Sequence, residues 1–140
     1  MIYALDTNII IHYLRHETNV CQNFNNAVIC NHKIVVPKMV DYEIRRGFSI
    51  TPKPKKEASY KILIEDCTVA EMDMISWERA IQVYTGIYQK RFTVGEMDIL
   101  IAAFCLANDY ILVTNNTADF KNIDNLRIVD WTQGDDRHDD

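Results

Sequence analysis

Glycine and proline are scarce in this chain, four and three among 140 residues. That argues against long flexible linkers and repetitive low-complexity segments. No apolar run approaches the roughly 18 residues a membrane span needs. The start has no basic leader segment, and Asp6 interrupts its apolar run. These absences predict a cytoplasmic protein that does not enter a membrane. The four cysteines, Cys21, Cys30, Cys67 and Cys105, form no CxxC pair, and no histidine stands at zinc-finger spacing from them. They read as buried reduced thiols. A basic excess is missing too, because 15 Lys and Arg face 20 Asp and Glu for a net charge of −5. A general basic coat for nucleic acid is disfavoured, although a local basic patch is compatible with this balance.

What is present suits one globular domain. The hydrophobic share of 48% and the length are enough for one sizeable core. Residues 1–132 are expected to form it. The closing stretch 133–140, "QGDDRHDD", is expected to be a disordered acidic tail. Ile2–Leu5 and Ile34–Val36 read as buried strands, with Pro37 suited to a first helical turn. "YILVT" and "LRIVDW" read as later strands, and "CTVAEM" as a short one. Helical spacing covers Asn8–Arg15, Val20–Asn31, Lys38–Phe48, Lys56–Asp66 and Ile75–Lys90. "SITPKPKKEA" is the clearest loop. "GEMDILIAAFCLAND" is apolar almost all round after Asp98, as in a helix buried on several sides. Strands alternating with helices predict an α/β fold around a mostly parallel sheet.

Ligand sites of open parallel sheets lie beyond the carboxyl ends of the strands. Asp6 follows the first strand. Asn115, Asn116 and Asp119 follow "YILVT". Asp98 opens the buried helix leading to that strand, and Glu43 reaches Asp6 if its helix packs beside the first strand's end. Clustered carboxylates repel one another, and a divalent cation relieves that repulsion. A donor set of hard oxygens points to Mg²⁺ or Mn²⁺ in place of Zn²⁺. Each acid also has an ordinary role open to it. Asp6 and Asp98 suit helix caps, Glu43 a solvated helix face and Asp119 a turn. Spacing alone leaves Asp41 and Glu96 as competitors. His12 and His16, four apart, share a face of the first predicted helix, but no third ligand for a transition metal is evident.

Several stretches together resemble a known family. "ALDTNIIIHYL", "EIRRG", "GEMDILIAAFCLAN", "ILVTNNTADF" and "LRIVDW" are similar, in order and over nearly the whole chain, to PIN-domain ribonucleases. The closer likeness is to VapC toxins of VapBC toxin–antitoxin modules. The resemblance implies a three-layer α/β/α sandwich and cleavage of RNA by water activated on Mg²⁺ or Mn²⁺. It assigns metal-ligand and catalytic roles to Asp6, Glu43, Asp98 and Asp119, with Thr7, Asn8, Thr114 and Asn116 in support. Some relatives carry an acid where Asn116 stands, and many carry Ser or Thr where "PKMVDY" has none. It further implies a VapB-like antitoxin, a homodimer inside a larger complex, and DNA contact only through the antitoxin.

RNA held near acids needs cations. Arg45 and Arg46 lie close to Glu43, and Lys53, Lys55 and Lys56 form the densest basic stretch, with Lys61 beyond. Tyr42, Tyr84, Tyr88 and Phe92 are candidates for stacking on bases. The main alternative is a catalytically inactive PIN-fold domain that binds RNA or protein. A haloacid-dehalogenase-type phosphotransferase is disfavoured because Asn8 stands where a second acid is needed. A receiver domain is disfavoured because "IVVPK" offers no acceptor aspartate.

Overall fold

A computed structural model describes residues 1–134. Most of the predicted tail, residues 135–140, therefore lies outside the described residues. In chain order the elements are β1 (Ile2–Leu5), α1 (Thr7–Leu14), α2 (Thr18–Ile29), β2 (Lys33–Pro37), α3 (Lys38–Ile50), α4 (Pro54–Glu65), β3 (Thr68–Ala70), α5 (Met74–Gln89), α6 (Glu96–Asn108), β4 (Ile111–Val113), α7 (Thr117–Phe120) and β5 (Ile128–Val129). All five strands pair in parallel in the order β3-β2-β1-β4-β5. Parallel strands covered on both faces need near-continuous apolar runs. "IYAL", "IVV" and "ILV" provide them, and Ala4, Leu5, Val35, Val36, Leu112 and Val113 are almost fully excluded from water.

That order fixes where a site can form. β1 to β2 to β3 steps one way across the sheet, and β3 to β4 to β5 returns the other way. Right-handed crossovers then put α1–α4 on one face and α5–α7 on the other. The crossovers diverge between β1 and β4, and a crevice opens beyond their carboxyl ends. Ala4 pairs with Leu112 and Leu5 with Val113, so Asp6 and Thr114 emerge side by side at that crevice. The buried helix α6 packs on α5 and carries Ile99, Ile101, Ala102, Ala103, Phe104 and Cys105 into the core.

Several local expectations need correction. The loop predicted over "SITPKPKKEA" shrinks to residues 51–53, because α3 runs on to Ile50 and α4 starts at Pro54. Proline suits that first position because its missing N–H would have no helical partner there. The Lys53 backbone N–H donates to Glu57 Oε2 at 3.0 Å, closing a cap that spacing alone did not reveal. Pro37 ends β2 and precedes α3, outside the helix. The polar turn after β4 contains the short helix α7. β5 keeps only the middle of "LRIVDW". The cysteines are not uniformly buried: Cys105 is, Cys21 and Cys67 are partly so, and Cys30 is exposed. Among the described residues no helix is long and apolar enough to cross a membrane.

Candidate active site

Asp6 caps α1, as local reasoning allows, but its surroundings exceed what a cap requires. It is only 5% exposed. Oδ1 accepts from the Thr7 backbone N–H at 2.8 Å. Oδ2 accepts from the Thr114 hydroxyl at 2.9 Å and from Asn8 Nδ2 at 3.1 Å. Burial pushes its pKa up and nearby Glu43 adds to the rise, while the Thr114, Thr7 and Asn8 bonds act in the opposite direction. Thr7 then turns its hydroxyl to α3 and donates to Glu43 Oε1 at 2.9 Å. Adjacent residues after β1 therefore hold two acids whose positions differ by 37 in sequence.

Glu43 and Asp41 are two residues apart on α3, so they point to nearly opposite sides of a helix with 3.6 residues per turn. Glu43 reaches Thr7 at the crevice. Asp41 is buried on the α4 side, accepting from the Tyr60 hydroxyl at 2.7 Å and from Lys38 Nζ at 3.2 Å. Burial pushes the Asp41 carboxyl up, but these bonds and the cations Lys38 and Arg45 together hold it below its ordinary value. Asp41 is thereby explained by structure, and Glu43 is the acid that faces Asp6.

Asp98 lies in the first turn of α6. Gly95 caps that helix without a side-chain bond, so Asp98 is not its cap. Burial, then Asp6, Asp119 and Glu43 in that order, push its pKa up to about 6. Asp98 feels all three of the other candidate acids, which come from different elements. Asp119 is the outer member, exposed on α7 and accepting from Asn116 Nδ2 at 2.7 Å. The Asn116 backbone N–H donates to the Thr114 hydroxyl at 3.0 Å, tying that loop to Asp6. Glu96, the other competitor, is exposed.

Asn115, expected at this strand end, meets His12 at the rim, a contact that spacing did not reveal. Asn115 donates its backbone N–H to Asn8 Oδ1 at 3.2 Å, and its side-chain amide meets His12 Nε2 at 2.9 Å. His12 Nδ1 pairs with Glu17. The His12–His16 pairing on one helix does not form, because α1 ends at Leu14 and His16 follows with a positive φ. Of the proposed cations, Lys53 and Lys56 line a groove shared with Thr7 and Glu43, and Arg15 joins them there. Arg45 lies 3.5 Å from Asp41 on the other side of α3, and Arg46 stacks over the Tyr42 ring. Lys55 lines an adjoining hollow.

The donor set offers only hard oxygens, as Mg²⁺ or Mn²⁺ requires. Among the described residues no three His, Cys, Asp or Glu side chains are drawn together as finished ligands. Burial and the like charges of Asp6, Asp119 and Glu43 raise the Asp98 pKa. Charge and chemistry fit a divalent cation.

Comparisons with known proteins bear on the family and the fold. The PIN domain family model matches residues 3–126. Ribonuclease VapC2 of Rickettsia felis is 30% identical over 136 residues, covering 94% of this chain and 98% of the relative. The tRNA(fMet)-specific endonuclease VapC of Shigella flexneri is 25% identical, covering 93% and 98%. Among solved structures, VapBC2 from Rickettsia felis bound to a promoter DNA fragment superposes with TM-score 0.87 at 28% identity, covering 94% of this chain and 99% of that one. The parallel sheet, the acids at its switch point and these relationships converge: the chain belongs to the PIN-domain family, among the VapC-like ribonucleases.

Proposed function

We propose that this chain is the toxin of a type II toxin–antitoxin pair, a Mg²⁺- or Mn²⁺-dependent endoribonuclease whose domain spans residues 1–132. The observation that carries the reading is the electrostatic meeting of Asp6, Glu43, Asp98 and Asp119, brought from four separate elements to one crevice. A structural role would scatter or pair these acids with cations, as it does for Asp41.

Asp6, Glu43 and Asp98 would hold the cation, with Asp119 at the outer edge. A bound divalent cation supplies charge stabilisation to phosphate oxygens and acidity to an attacking water. The protein's own residues orient the ligands. Thr114, Asn8 and the Thr7 amide fix both oxygens of Asp6, and the Thr7 hydroxyl aims Glu43. Asn116 steadies Asp119. Hydrolysis adds the water oxygen to phosphorus, breaks one P–O ester bond and gives a proton to the leaving oxygen.

The relatives supply the setting. The Shigella relative is named for a tRNA substrate, so tRNA is the first RNA to test here. The Rickettsia structure contains VapB with VapC on promoter DNA. A VapB-like antitoxin and indirect DNA contact are accordingly assigned to this chain, acting in the cytoplasm. A basic residue of the antitoxin's tail would neutralise the carboxylates and block the cation. Self-association uses α5, whose outer face exposes Trp77, Ile81, Tyr84 and Tyr88 in an unpartnered stripe.

The deciding experiment incubates the purified chain with bulk tRNA in Mg²⁺, in excess chelator, and after Mg²⁺ or Mn²⁺ is restored. Cleavage present, abolished and recovered supports the reading. Full activity in chelator refutes the metal, and no cleavage of any RNA favours the inactive binding domain.

A further inference from the structure

The acids face a problem they do not solve themselves. A phosphodiester chain approaching four carboxylates on a protein of net charge −5 is repelled unless cations hold it nearby. The groove beside Glu43 offers them. It has a volume of about 420 Å³ and runs from Thr7 and Glu43 between α1 and α3 toward the start of α4. Its lining is largely apolar, with Ile11, Leu14, Ile44 and Phe48 among the residues that form it. Arg15, Lys53 and Lys56 converge on it from the end of α1, the α3–α4 connection and the first turn of α4. From Glu43 to Thr51 the groove follows α3 for about 12 Å, at 1.5 Å per residue.

We propose that this groove is the track of a single-stranded RNA segment, with Arg15, Lys53 and Lys56 holding phosphates on one side of the bond that is cut. The proposal rests on the nuclease reading and adds to it a direction and three positioning residues. A groove lined by apolar side chains and cations together is an arrangement suited to single strands, with bases and riboses against the apolar side chains and phosphates meeting the charges. Continuity supports the assignment, because Thr7 and Glu43 belong both to the groove and to the acidic crevice. Charge separates the candidate cations. Arg45 lies beside Asp41 and Arg46 over Tyr42, whereas none of the three groove cations is paired with an acid among the described residues. The basic surface also extends past the groove's end, where Arg15 and Lys56 adjoin His16 and Lys55.

The test uses the full chain and a fluorescein-labelled single-stranded oligoribonucleotide of mixed sequence. Anisotropy is read in Mg²⁺ on an Asp98→Asn background to prevent cleavage. Multiple-turnover cleavage of bulk tRNA is read on the otherwise native chain. Arg15→Gln, Lys53→Gln and Lys56→Gln together should weaken binding about tenfold or more. They should also flatten the log–log salt dependence by about 2, as three lost single-strand phosphate contacts require. KM should rise in parallel with kcat changed less than twofold. Lys33→Gln and Arg127→Gln, exposed and away from the groove, should alter neither quantity. If the triple variant does not fold, Arg15→Gln and Lys53→Gln are measured singly, each with a slope change of about 0.7. Unchanged affinity and slope overturn the track even if RNA is cleaved. Binding with the stated dependence but no cleavage in any divalent cation overturns the nuclease and leaves the track standing. Retained RNA affinity with lost affinity for a protein partner assigns the groove to that protein and overturns the proposal, as does failure of the native chain to bind either RNA.

Discussion

Replacing Asp98 with asparagine should make the metal-free protein more stable while abolishing cleavage. The Asp98 pKa stands at about 6 against an ordinary 3.8, through burial and the nearby Asp6, Asp119 and Glu43. At 1.36 kcal/mol per pH unit, keeping this group charged at neutral pH costs at most about 3 kcal/mol. Asp98 is only partly buried, so water screening reduces the figure to about 1–2 kcal/mol. The sign follows from proton counting. Between 3.8 and about 6 the folded chain binds more protons at this site than the unfolded chain, so this contribution to stability falls as pH rises through that window and is constant above it. The Asn variant, which carries no charge, should therefore gain about 1–2 kcal/mol at pH 7.5 in chelator and almost nothing near pH 4. For a chain of this size that corresponds to a rise of roughly 3–8 °C in the melting midpoint. Added Mg²⁺ should reverse the order, because only the native site gains stability from the cation, about 2.7 kcal/mol at a hundredfold excess over Kd. Urea denaturation at both pH values, with and without Mg²⁺, measures every arm. A variant less stable than the native chain in chelator at pH 7.5 would falsify the account of crowded carboxylates.

On the proposed metal reading the deprotonated form of Asp98 would hold the cation, so cleavage at fixed, subsaturating Mg²⁺ should rise as pH increases through about 6; a rate flat from pH 5 to 8 contradicts this. Thr114→Val should cost about 2 kcal/mol in urea denaturation, because one buried hydroxyl serves both Asp6 and the Asn116 amide. Tyr60→Phe should cost about 1–2 kcal/mol near neutrality. Asp41 is held below its ordinary 3.8, so the stability it contributes is present above that value and fades as pH falls below it, and the Tyr60→Phe penalty should shrink in the same acid range. On the proposed self-association through α5, Ile81→Glu should lower the mass read by light scattering from dimer to monomer without lowering the melting midpoint, since Ile81 lies outside the core.

Local patterning determined the order of strands and helices in this protein. Apolar runs of β-branched and aliphatic residues allow little besides buried strands, and their alternation with helical spacing demands a parallel sheet. That order already placed Asp6 and the Asn115–Asp119 turn at carboxyl strand ends, where α/β ligand sites form. Other features depended on partners far away in the chain. Asp41 and Glu43 look alike by spacing, but a helical separation of two residues sends them to opposite sides, and only the packing of α3 decides which side meets β1. The Pro52–Pro54 stretch looked like a loop because Glu57's return to the Lys53 amide and the docking of α4 on α3 are not written in composition. Arg15 carries no local signal, since a cation just past a helix end is ordinary, and its place beside Lys53 and Lys56 arises when α1 and α4 come together. Periodicity specifies which face of an element is buried; the charges that share a crevice are chosen by the tertiary fold, because electrostatic coupling depends on distance in space and is indifferent to separation along the chain.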